Sequence, residues 1–143
     1  MTVKQISVFL ENKPGKLAEF VSVLRQNKID MRALSIAEAP DFGIVRVIVT
    51  DSYNTACVLK EAGYVFSITP VLAVAIPDEP GSLSSILNLL AENNINLEYS
   101  YAFTSRHKDL AYMIFRVADE EKAAEILTEQ GIKLVCQDEL NNL

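Results

Sequence analysis

The chain has 143 residues, half of them hydrophobic and 22% charged, which is enough apolar material for a packed core and too much for a disordered segment. A net charge of −6 opposes binding to phosphate backbones, and no basic run interrupts it, so nucleic acid is not expected as a direct partner. The longest apolar run, Val71 to Ile76, is far too short to span a membrane, and the N-terminus has no secretory signal, so a cytoplasmic location is expected.

The first predicted strand alternates Ile6, Val8, Leu10 and ends in the polar corner "ENKPGK". A helix follows, with an apolar stripe at Leu17, Phe20, Val21 and Leu24, the i, i+3, i+4, i+7 positions of one face. Asn27 closes it, a residue that tolerates the left-handed conformation of a C-terminal cap. A second strand begins at Asp30, and a third reads "GIVRVIV". Asp51 stands where an N-cap belongs, and the next helix carries Val58, Leu59 and Ala62 before Gly63 stops it. A short final strand completes the unit.

The whole order then recurs. A shift of 66 aligns Val8 with Val74, Pro14 with Pro80, Gly15 with Gly81, Leu24 with Leu90 and Asn27 with Asn93. After a two-residue insertion near "SRHKD", a shift of 68 aligns Asp51 with Asp119, Leu59 with Leu127 and Gly63 with Gly131. The second copy repeats the first strand as Leu72, Val74, Ile76 and the helix stripe as Leu83, Ile86, Leu87, Leu90. The matches fall at structurally meaningful positions along the whole unit, the mark of a tandem duplication.

Each copy reads as strand, helix, strand, strand, helix, strand. Two interlocked right-handed β-α-β crossovers give an α+β fold, a ferredoxin-like four-stranded antiparallel sheet with both helices on one face. The expected domains are residues 1–70 and 71–143, each, at about 70 residues, near the lower limit for an independent core. "SITPVLAV" joins them without a flexible linker, which predicts a rigid pair.

The two Pro-Gly corners are the candidate sites. A helix N-terminus offers unpaired N–H groups and a partial positive charge to an anion such as a carboxylate. Gly15 and Gly81 let a ligand approach the backbone, and Asn12 or Asp78 beside them can accept from an ammonium group. Together these form a mould for a free α-amino acid. Asp78, being charged, holds an ammonium more strongly, since charge-assisted bonds contribute roughly 1.5–3 kcal/mol. A Pro-Gly pair entering a helix is also ordinary turn chemistry, and a duplication copies turns as faithfully as sites.

The chain resembles a pair of ACT domains, small ferredoxin-like modules that sense amino acids in metabolic regulation. The resemblance covers nearly the whole chain and rests on the "ENKPG" and "PDEPG" corners, followed by "NKIDM" and "NNINL" entering the second strand. It implies side-by-side pairing of two modules through their second strands into one eight-stranded sheet. Ligands would sit at the seam, between the first loop of one module and the second strand of the other. On that pattern one site takes Asn12, Lys13, Pro14, Gly15 and Lys16, and the other Asp78, Glu79, Pro80, Gly81 and Ser82. The opposing walls come from the second strands, with Met31, Ala33 and Leu34 in one and Leu97, Tyr99 and Ser100 in the other.

Leu97, Tyr99, Tyr101 and Phe103 are expected on one aromatic strand face, opposite the smaller Met31, Ala33, Ser35 and Ala37. Arg32 and Glu98 hold equivalent places and could face each other across paired strands.

No Ser-His-Asp or Cys-His pattern, dinucleotide fingerprint or phosphate loop is present, so the chain is not expected to be an enzyme or to carry a cofactor. His107, the one histidine, reads as part of a solvated loop. Cys57 and Cys136 read as free thiols, and neither they nor the scattered carboxylates have metal-ligand spacing. Two functional classes remain. One is a stand-alone sensor of a free amino acid; the other is a non-catalytic accessory subunit of a metabolic enzyme or transcription factor. A homodimer is expected, formed through the sheet faces opposite the helices.

Overall fold

The computed structural model describes residues 1–105 and 108–143; His107 lies outside the described residues. The chain divides into two compact units, one of Lys4–Thr69 and one of Pro70–Leu143 together with Met1–Val3.

The first unit is built from β1 (Val3–Glu11), α1 (Lys16–Gln26), β2 (Met31–Glu38), β3 (Phe42–Val49), α2 (Ser52–Glu61) and the start of β4 (Val65–Pro77). Its strands run in the order β2-β3-β1-β4, with β1 and β2 both antiparallel to β3. Alternation places Ile6, Val8, Leu10 of β1 and Val45, Val47, Val49 of β3 on the helix side, where they pack with Phe20, Leu24 and Leu59. The Phe20 and Tyr64 rings meet edge to face at 5.7 Å.

The second unit repeats this with the rest of β4, α3 (Ser82–Glu92), β5 (Leu97–Ala102), β6 (Leu110–Val117), α4 (Glu120–Glu129) and β7 (Lys133–Val135). Its strand order is β7-β4-β6-β5. Leu72, Val74, Ile76, Phe115 and Val117 pack there with Ile86, Leu90, Ala123 and Leu127. On α3 the core-facing stripe takes Leu89 rather than the expected Leu87, which is exposed. A further short helix, α5 (Gln137–Asn142), buries Leu140 and was not legible as a repeat element.

Seven strands form among the described residues, not the expected eight, because the last strand of the first copy and the first of the second are one continuous strand, β4. Among the same residues β2 pairs with β3 and β5 with β6, so each second strand is the edge of its own unit rather than the seam of an eight-stranded sheet. The sheet faces away from the helices carry both buried and exposed apolar side chains, Phe9 among the exposed. Ile48, Val71, Ala73, Tyr112 and Ile114 on those faces are buried, as apolar side chains driven from water should be.

All four long helices stop in the same way. The residue after each cap is left-handed (Lys28, Gly63, Asn94, Gly131), and the next N–H returns to the carbonyl of the residue five earlier. These pairs are Ile29 to Leu24, Tyr64 to Leu59, Ile95 to Leu90 and Ile132 to Leu127, at 2.8–3.0 Å, each joining two core side chains. Asn27 and Asn93 are the cap residues, but neither is left-handed. Each donates from its side-chain amide to a carbonyl one turn back, Val23 or Leu89, and the left-handed residue is the next one.

Candidate functional site

The two helices of each unit start differently. Asp51 and Asp119 cap α2 and α4, their carboxylates accepting from the N–H of Asn54 (2.9 Å) and Lys122 (3.0 Å). The caps of α1 and α3 are Gly15 and Gly81, which have no side chain with which to do this. Each glycine is the third residue of a Pro-Gly turn, Lys13–Lys16 and Glu79–Ser82, closed by a 3.3 Å bond from the fourth N–H to the first carbonyl. Their φ angles of 87° and 96°, behind a proline, make this a type II turn, which needs glycine at that place. The turn absorbs the first helical N–H, while those of Leu17 and Ala18, and of Leu83 and Ser84, have no carbonyl to reach within their helices. A Cβ built on either glycine meets nothing within 4 Å, so the space beside each glycine is open.

The residues before the turns are held by the loop after the second strand. Asn12 N–H donates to Asp41 and Asp78 N–H to Asp109. The Asn12 side-chain amide also donates to the Ala39 carbonyl at 3.0 Å, and its oxygen remains able to accept. Asp78 is exposed.

The corners differ in charge and in room. At the first, Lys13 and Glu11 form a 2.6 Å ion pair, and Lys16 reaches Glu19 at 3.4 Å. The hydrogen bond with Lys13, then its charge, holds the Glu11 carboxyl below its ordinary value, and the same bond raises Lys13. Behind this corner is a pocket of about 190 Å³, walled by Leu10, Leu17, Ile36 and Val45. At the second, a cleft of about 910 Å³ opens between α3 and the α4–β7 turn, taking in Glu79, Pro80, Gly81 and Ser82. Lys133 lines it, with its amine 3.0 Å from Glu139.

The structure brings each expected loop together as one corner, but within a unit it does not bring the expected strand residues to it. The corner lies beside the end of the second strand, next to Ala39 and Asp41, whereas Met31, Ala33 and Leu34 begin that strand. At roughly 3.3 Å per residue the length of the strand separates them. Ile36 and Glu38 line the first pocket instead.

A β-bulge also divides each expected strand face, between Met31 and Ala33 and between Leu97 and Tyr99. Met31 and Leu97 turn to the helix side opposite Val49 and Val117, as do Leu34 and Ser100 opposite Val47 and Phe115; Ala33, Tyr99 and Tyr101 turn to the other side. Phe103 meets the Tyr112 ring at 5.0 Å with the planes tilted by 43°, and it is buried. Arg32 and Glu98 are the residues at these bulges and are engaged locally, Arg32 with Asp30 and Glu98 with Arg116.

Ile132, Lys133 and Leu110 are cleft residues that the sequence reading missed. A signal was available: Gly131 marks the end of α4, and the βαββαβ order returns that end to the side of the sheet where the first corner of the same unit lies.

Among the described residues no group of three or more histidine, cysteine, aspartate or glutamate side chains could hold a metal. No helix among them is long and apolar enough to cross a membrane.

A search of curated proteins found no match. Among solved structures, protein BT0572 from Bacteroides thetaiotaomicron is 36% identical, with a TM-score of 0.93 over 100% of this chain and 98% of that one. The regulatory subunit of aspartate kinase from Thermus thermophilus is similar in fold at 16% identity, with a TM-score of 0.62 over 88% of this chain and 91% of that one. Aspartokinase alpha and beta subunits give 20% identity and 0.58 over 88% and 90%. The family described as an ACT domain pair matches residues 1–143. The chain belongs to the ACT domain pair family.

Proposed function

We propose that this chain is a regulatory protein that binds a free amino acid at its glycine-capped corners and has no catalytic role of its own. The observation that carries the reading is the contrast between helix starts. Two helices close their first turn with an aspartate, and the other two leave it to an outside anion beside an acceptor, Asn12 or Asp78. A carboxylate on the open N–H groups and an ammonium on the neighbouring oxygen satisfy both halves.

The edge strands β2 and β5 are where a second copy of the chain pairs in this reading. That pairing carries Met31, Ala33, Leu34 or Leu97, Tyr99, Ser100 of one copy to a corner of the other and makes the protein a homodimer in the cell interior.

Calorimetric titration with the twenty amino acids tests the proposal, repeated on Asn12→Ala and Asp78→Ala. A ligand whose affinity falls in either variant supports it. Silence across the set refutes it.

A second reading, an accessory subunit that holds a separate enzyme, draws on the likeness in fold and length to a regulatory subunit of aspartate kinase. A ligand could then move the partner only by binding its two states unequally. Co-purification of a partner enzyme that is unchanged by any amino acid would favour this reading over the sensor.

A further inference from the structure

We infer that a single ligand is bound per chain, in the cleft of the second corner, and that it is an amino acid with an aliphatic side chain. The inference rests on the amino-acid-binding reading above and narrows it. Small-molecule sites occupy about 300–1,000 Å³. The second cleft, about 910 Å³, lies inside that range, and the first pocket, about 190 Å³, falls below it.

The apolar walls of the second cleft come from within one unit. Ile86 and Leu89 of α3 form one side and Ile132 the other, with Leu110 near the corner. All come from the one unit that holds Gly81. Such a wall removes an aliphatic side chain from water at about 25 cal/mol for each Å² covered.

Charge selects against the acidic amino acids. Glu79 and Glu92 line the cleft, and Lys133, its cation, is already 3.0 Å from the Glu139 carboxylate. A second carboxylate on the ligand would meet two like charges and one cation in use. An aliphatic chain meets the isoleucine and leucine walls.

The test is calorimetry on the full chain with leucine, isoleucine, valine, methionine, aspartate and glutamate. The same titrations are run on Ser85→Trp and Asn88→Trp, two exposed α3 positions from which an indole fills the cleft. Circular dichroism melting confirms that each variant is folded, and one folded variant suffices. The expected result is one aliphatic ligand per chain, with affinity at least tenfold weaker in the variants. Two ligands per chain, tighter binding of aspartate or glutamate, or full affinity in a folded filled-cleft variant would overturn the inference while leaving the amino-acid-binding reading in place. No binding by these six, with another of the twenty amino acids bound, would overturn the inference alone, and no binding by any of the twenty would overturn both.

Discussion

Lys28 occupies a backbone conformation that its side chain makes costly. Its φ is 55°, the left-handed turn after α1, where the equivalent positions after α2 and α4 are glycines and the one after α3 is Asn94. A non-glycine residue is disfavoured there by about 1–2 kcal/mol, because Cβ crowds the following carbonyl. Glycine removes that crowding but forfeits about 0.5–1 kcal/mol of chain entropy on folding. The difference predicts that Lys28→Gly stabilises the chain by about 0.5–1 kcal/mol. With a urea slope of about 1–3 kcal/mol per molar, the unfolding midpoint rises by about 0.2–1 M.

Lys28 is exposed, so Lys28→Ala is the control: it removes the long side chain, keeps Cβ, and leaves the midpoint close to wild type. Equal effects of glycine and alanine, or a lower midpoint with glycine, would refute the backbone argument. The turn matters beyond its own residue, since it directs Ile29 back onto Leu24 in the core.

Three further outcomes follow from the same structure. Asp51→Ala and Asp119→Ala each lose an N-cap and lower stability by about 0.5–2 kcal/mol in urea unfolding, with amino-acid binding retained. Leu90→Ala, at a position 1% exposed, costs about 2–5 kcal/mol; Leu87→Ala, three residues earlier and 37% exposed, costs under about 1 kcal/mol by the same assay.

The Glu139 carboxyl titrates below its ordinary value of 4.5, first because Lys133 bonds it and second because the Cys136 N–H donates to it. Its contribution to stability is therefore present above 4.5 and is lost as pH falls through the lowered value. Lys133, raised above 10.5 chiefly by the same bond, loses its contribution only as pH rises past that. In Lys133→Met the Glu139 carboxyl, followed by NMR, moves toward the ordinary value but stops short of it, because the backbone donor remains.

The fold was readable because its punctuation is written in side chains. Asp51 and Asp119 announce helix starts, Gly63 and Gly131 helix stops, and the shifts of 66 and 68 carry the pattern from one copy to the next. Three features were not readable, each for a backbone reason. The bulges at Arg32 and Glu98 carry no residue signature, yet they turn Met31 and Leu97 away from the faces that alternation assigns them. The left-handed turns fall on Lys28 and Asn94, the places that Gly63 and Gly131 hold after α2 and α4, and neither lysine nor a second asparagine announces them. The merged β4 has no break in its sequence to divide, since Pro70 stands inside the strand that both copies share.

The corner loops were legible because proline and glycine act locally. Their walls were not: Ile132 and Lys133 lie some 50 residues beyond Gly81, and only the fold sets them beside it.

The central claim is that an open first turn, that of α1 or that of α3, receives a ligand carboxylate while the capped turns of α2 and α4 do not. Backbone amide NMR shifts, followed as the best-binding amino acid is added, test it most directly. The account predicts that Leu83 and Ser84, or their counterparts Leu17 and Ala18, move and saturate with the ligand, with Asn54 and Lys122 unmoved. Saturable shifts at Asn54 and Lys122 with the open turns silent would contradict it.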